Sequence, residues 1–166
     1  MGTSFAHVLE MPPKLRYDGP LWLQVQHSLY GAYASIGGAI ETAAIIAAAI
    51  LAYVLRDWRP AMIAALAGTV CLAIAFLFVW VMVTNRVNAR TAKWTRDTLP
   101  ADWERWRRRW EVSHAVRFVL HLSGFVLLVL ATLISPLAEA AVLGVGAKIA
   151  KPCRPMRRQV SHRRKS

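Results

Sequence analysis

The sequence predicts an all-α transmembrane helical bundle, and three runs of residues predict it. Leu29 to Leu55 holds one acid, Glu41, and no base; Ala61 to Val83 holds no charge; Ala115 to Ile134 holds only Arg117 and His121. Each run reaches the roughly 20 residues that cross a bilayer core. Hydrophobic residues make up 56% of the 166, above the roughly 45–50% of a soluble domain. Three such runs in so short a chain leave too little polar surface to cover them as core helices in water.

The elements follow in order. MGTSFAHVLEMPPK has no basic region ahead of its apolar residues, so it does not read as a signal peptide. Residues 1 to 10 read as the last turns of a first helix whose beginning lies upstream, stopped by Pro12-Pro13. Residues 11 to 28 form a polar-aromatic connector with Trp22 and His27, leading to Tyr30 at the membrane–water interface. The first full span, about 29 to 55, is rich in Gly and Ala, which let helices approach closely in lipid. RDWRP, residues 56 to 60, is a tight turn in which Asp57 can cap and Pro60 suits the first helical turn. A turn this short makes the second span, about 61 to 84, antiparallel to the first.

Asn85 to His114 is the longest polar segment, with eight Lys/Arg and four Asp/Glu. Pro100, Asp102 and Glu104 mark a helix start. From there Trp103, Trp106, Trp110, His114, Arg117 and His121 share one face, so a helical extension runs inward into the last span, about 115 to 135. Arg105 and Arg107 to Arg109 are expected on the opposite face, towards water and lipid phosphate. After Pro136 a short segment, Leu137 to Ala150, reads as an interfacial helix or a frayed end and closes a single domain at about residue 150.

Residues 151 to 166 carry seven Lys/Arg and no acid, within a net charge of +12. This basic tail reads as disordered, with anionic lipid headgroups as its partner. No nucleic acid is expected, because the aromatic interleaving of such a surface is absent. Ten Lys/Arg lie in residues 11–28 and 85–114, which favours that side as cytoplasmic. Cys71 and Cys153 form no disulfide or metal pattern.

Ionisable residues inside a membrane segment point to function. Glu41 lies 12 residues past Leu29, about 18 Å along the helix and near mid-bilayer. Arg117 is its natural partner, yet it sits only about one turn inside. His121 is one turn deeper, so a Glu41–His121 contact is the expectation. A second constellation gathers at one membrane face, because the antiparallel topology brings together His7, Glu10, His27, Asn85, Asn88, Trp110, His114 and Arg117. Such a mouth offers amides, imidazoles and flat aromatic walls. It would suit a lipophilic aromatic or quinone-like ligand; interfacial anchoring is the plainer reading of its tryptophans. The histidines show no ligand spacing such as HxxxH, so no metal and no cofactor is expected.

AHVLEMPPKL, GPLWLQVQHSLY, TNRVN and RWEVSHAVRFVLHL, in this order, resemble the DUF1772 group of small integral membrane proteins, which includes the anthrone oxygenases. The resemblance runs to about residue 135. It implies a four-helix membrane bundle and, for some members, cofactor-independent oxygenation of an anthrone to an anthraquinone. The matching positions are Asn85, Asn88, Trp110, His114 and Arg117. The chain departs in having three full spans, the first helix being truncated, and in its basic tail.

Three classes of function stay open. One is a membrane oxygenase or redox enzyme, with His114 or His121 as general base, Arg117 stabilising a developing enolate, and Glu41 taking part. Another is a protein that binds a small lipophilic ligand without turning it over, and the third is a purely structural helix bundle. The expected setting is a bacterial inner membrane.

Overall fold

The computed structural model describes residues 2–30 and 33–135, and among them every regular element is helical. The chain runs through α1 (Gly2–Lys14), α2 (Gly19–Leu29), α3 (Tyr33–Val54), α4 (Arg59–Ala73), a π-helical segment (Ile74–Thr84), α5 (Asn85–Thr91) and α6 (Trp103–Leu133). Three stretches are long and apolar enough to cross a membrane: Ile36–Val54, the continuous helical rod Arg59–Thr91, and α6. The short segment after Pro136 and the basic tail lie outside the described residues.

Burial follows the logic of lipid rather than water. Large apolar side chains such as Ile40, Ile50 and Phe78 stand more than half exposed, whereas His114, Arg117 and His121 are 6%, 5% and 4% exposed. In a bilayer the apolar surface needs no cover, and polar groups gain by facing one another inside.

α6 is the spine. It packs along α4 and the π-helical segment and against α1, while α3 packs on α4. The α4–α6 crossing is tight: a Cβ at Gly68 would lie 3.0 Å from the Gly124 carbonyl oxygen, and one at Gly124 would lie 3.1 Å from that of Gly68. The loop end of the bundle closes on Ala52, Leu55, Ala61, Ala65 and Ala131. Trp58 Nε1 ties this end to the last span by donating to the Ile134 carbonyl oxygen at 2.9 Å.

Three local expectations are corrected. Pro12 and Pro13 do not stop α1; they sit in its last turn, and the Leu15 N–H still reaches the Met11 carbonyl at 3.0 Å. Residues 11 to 28 are not a simple connector, because Asp18 accepts from the Leu21 N–H at 2.9 Å and Pro20 occupies the first turn of α2. Asp57 caps nothing: Trp58 is the N-cap of α4, without a side-chain cap bond.

The π-helical segment has its own signature. Thr84 Oγ1 lies 3.4 Å from the carbonyl of Val79, five residues back. The buried positions of this rod accordingly change step, from Ala75 and Val79 to Thr84 and then Val87. Wide turns of this kind are rare and are often found at functional sites.

Candidate functional site

The inner stripe of α6 reads Arg107, Trp110, His114, Arg117, His121 and Gly124, all buried. These are spaced four and three residues apart, so they stack on one face. Arg107 belongs to this stripe and not to the outward face: Nη1 donates to the carbonyls of Tyr17 at 2.7 Å and Lys14 at 3.3 Å, tying the end of α1 to α6. Trp106 turns aside and lies half-buried under Arg90, whose guanidinium carbon is 4.3 Å from its ring centre.

Towards the polar end an aromatic box forms. The rings of His7 and His114 lie 4.0 Å apart between centres, Trp110 is 4.3 Å from His114 and 4.9 Å from His7, and Tyr30 is 5.4 Å from Trp110. Lys14 Nζ sits over Tyr30 and Trp110, at 4.5 and 5.0 Å from their ring centres. A cation over ring faces is a favourable arrangement where water is scarce. Lys14 also pairs with Glu10 at 2.6 Å, and Tyr30 donates to the same carboxyl at 2.6 Å. Burial works against the charge of Glu10, but the hydrogen bonds from Lys14 and Tyr30 outweigh it and hold the carboxyl below its usual range.

Asn88 closes this box from α5. Its Oδ1 accepts from Trp110 Nε1 at 2.8 Å. Below it, Thr84 and Ser113 hydroxyls meet at 2.9 Å. The cleft bounded by these groups has a volume of about 50 Å³, room for a few water molecules and no more.

Glu41 forms the bottom of this cleft. Oε1 takes the guanidinium of Arg117, and His121 Nε2 lies 3.7 Å from the same oxygen. The expected Glu41–His121 neighbours are thus brought together, but Arg117 is the tighter partner, since its long side chain covers the turn of height between them. His121 Nδ1 is held by Ser4 of α1 at 3.2 Å. Oε2 of Glu41 has no hydrogen-bond partner among the described residues.

Glu41 and His121 also line a second, larger space of about 430 Å³ between α3, α4 and α6. Its other walls are aliphatic or aromatic, including Ile40, Ala48, Leu51, Leu72, Phe125 and Leu128. Glu41 therefore stands between a small polar cleft and a roomy apolar chamber.

Two expected site residues lie elsewhere. Asn85 is exposed; the π-helical segment ends beside it, and only Asn88 is turned inward. His27 belongs to α2 and bonds through Nε2 to the Thr91 carbonyl at 3.0 Å, away from the cleft. Conversely, Ser4, Lys14, Trp80, Thr84 and Ser113 join the site without having been singled out, and Tyr30, expected only at the interface, is part of the aromatic box. Glu111 is 1% exposed, and neither carboxyl oxygen has a partner among the described residues. Among the described residues no three His, Cys, Asp or Glu side chains are grouped to hold a metal ion.

No curated protein and no solved structure matches the chain. The family model described as anthrone oxygenase matches residues 28–127, which span α3 through most of α6. By that match, over more than half its length, this membrane-type helical bundle belongs to the anthrone oxygenase family.

Proposed function

We propose that the chain is a membrane-embedded oxygenase that converts a lipophilic, anthrone-like aromatic to the corresponding quinone without a cofactor. The observation that carries this reading is the position of Glu41: one oxygen held by Arg117, the other without a hydrogen-bond partner among the described residues, in a side chain that lines an apolar chamber together with His121. The chamber, about 430 Å³, falls within the usual size of ligand sites, roughly 300–1,000 Å³. Exposed wall residues such as Ile40 and Phe125 give it access from the hydrocarbon region, where such a substrate dissolves.

The chemistry asks little of the protein. An anthrone methylene lies between two arene rings and is conjugated to a carbonyl, so loss of one proton gives a delocalised, phenolate-like anion. The Glu41 carboxylate accepts that proton, and His121 stands ready to take it on. The anion passes an electron to dioxygen, and the resulting radical pair closes a C–O bond to give a peroxide. Removal of the second proton from the same carbon breaks the O–O bond. The carbon becomes the quinone carbonyl, and the other oxygen leaves as water with both protons. Arg117 holds the carboxylate in place and supplies the cation that a buried anion requires.

The polar cleft has no room for three fused rings. Its role in this reading is to lead protons between Glu41 and the interface, past His114, His7 and Glu10. Asn88 and Trp110 shape that path rather than hold the substrate. A bacterial inner membrane is the setting proposed, because an all-helical span suits it, whereas outer membranes hold β-barrels.

The test uses the full chain in lipid vesicles with an anthrone and dissolved oxygen, following quinone formation over protein-free vesicles. Wild type exceeds the background, and Glu41→Gln lowers the excess about 100-fold. Wild type that only matches protein-free vesicles overturns the enzyme; if it still retains the anthrone on purification, the chain is a ligand binder instead.

A further inference from the structure

A separate groove of about 430 Å³ lies between the π-helical segment and α6. Its walls are Phe78, Val83, Val112 and Val116, and its rim carries Arg105, Arg108 and Arg109. We propose that this groove holds one anionic phospholipid, with the phosphate against the arginines and an acyl chain along the valines.

Height supports it. The rim arginines precede the apolar run that begins at Ala115, and Phe78 to Val83 end the charge-free run of the second span. The rim therefore lies at headgroup level and the walls in the hydrocarbon. From Arg109 to Val116 the helix descends about 10 Å, enough for the first several methylenes of a chain. Phe78, Val112 and Val116 are 67%, 51% and 44% exposed, so an acyl chain finds apolar surface on both sides.

Charge selects the occupant. No acid lines the groove, and none of the three arginines forms an ion pair among the described residues. Guanidinium groups match phosphate oxygens in pairs. A second copy of the chain seated symmetrically on this face would set arginines against arginines. A lipid with net negative charge meets both halves of the groove, and it does so whether or not the chain is an oxygenase.

The full chain in nanodiscs of mixed phosphatidylglycerol and phosphatidylcholine, released into native mass spectrometry, tests this. Wild type retains one phosphatidylglycerol preferentially. Arg108→Gln/Arg109→Gln lowers that retention about tenfold or more, and Arg56→Gln/Arg59→Gln, at the opposite turn, leaves it unchanged. The basic tail is present in every variant, so its contribution cancels. Val112→Trp fills the groove beneath an intact rim and also loses the lipid; circular dichroism confirms that each variant is folded. Equal retention by the rim variant overturns the proposal. So does undiminished retention by Val112→Trp, which reduces the effect to surface charge, and so does a dimer whose formation depends on the rim arginines.

Discussion

Trp110 Nε1 donates to Asn88 Oδ1 at 2.8 Å, a bond that spans 22 residues of sequence and joins α5 to α6 at the polar end of the bundle. Trp110 is only 2% exposed, so its N–H has no easy substitute partner. Asn88→Ala is expected to cost about 1–3 kcal/mol, the penalty of an orphaned buried donor. Asn85→Ala, on the exposed side of the same helix, changes stability little. Thermal unfolding in detergent, followed by tryptophan fluorescence, distinguishes the two; equal shifts would contradict the geometry.

Arg117 and Glu41 are coupled more strongly. Arg117→Met leaves the largely covered Glu41 carboxylate without its cation and is expected to lose up to about 3–5 kcal/mol. Adding Glu41→Leu to Arg117→Met restores much of the folded yield, because the unpaired charge is gone. A double variant as poor as the worse single one would mean that the two side chains are not a pair.

Gly68 tests the helix crossing. A Cβ there meets the Gly124 carbonyl oxygen at 3.0 Å and Leu128 Cγ at 2.9 Å, and a backbone oxygen cannot rotate away. Gly68→Ala should destabilise by about 1–3 kcal/mol through overpacking. Gly37→Ala, where an added Cβ meets nothing within 4 Å, should not. Melting of the two variants side by side gives the answer.

Glu10 makes the polar end sensitive to acid. Its folded carboxyl titrates below its ordinary value because of Lys14 and Tyr30, which overcome the opposing effect of burial. The unfolded chain therefore binds more protons between the two values, and the stabilisation is present above the ordinary carboxylate range and is lost as pH falls through the folded value. Expressed as the gap in melting temperature between wild type and Glu10→Gln, it should be open at neutral pH and close on acidification. A gap that widens in acid would reverse the assignment.

His27 is expected to be dispensable for chemistry. It bonds to the Thr91 carbonyl on the flank of α5. His27→Ala should leave quinone formation within about twofold of wild type, since neither His27 nor Thr91 lines the cleft or chamber, and removal of one hydrogen bond costs about 1 kcal/mol. A loss comparable to that of Glu41→Gln would put His27 back in the mouth of the site.

The spans were legible because charge-free runs of bilayer length have few other uses, and Glu41, Arg117 and His121 were legible because each interrupts such a run. The Arg117–Glu41 pair was obscured by reckoning depth along the helix axis, which ignores how far a guanidinium reaches along its stem. Arg107 was lost among four arginines, although its spacing to Trp103, Trp110 and His114 fits the inner stripe. Asn85 and Asn88 looked equivalent because an i, i+3 pair shares a face on a regular helix. Which of them faces inward depends on the wide turns just before them, and no residue pattern in IAFLFVWVMVT announces those.

Those wide turns make the site sensitive to counting. One residue adds about 100° of rotation on a regular helix, so the surplus between Val79 and Thr84 sets the angle at which Thr84 and Asn88 face Ser113 and Trp110. Outward apolar side chains such as Ile74, Leu77 and Met82 are open to exchange, since lipid accepts any of them. A single deletion there would swing both polar contacts off the partner helix while leaving the segment just as hydrophobic, and the length of this stretch, more than its composition, is what the bundle has to keep.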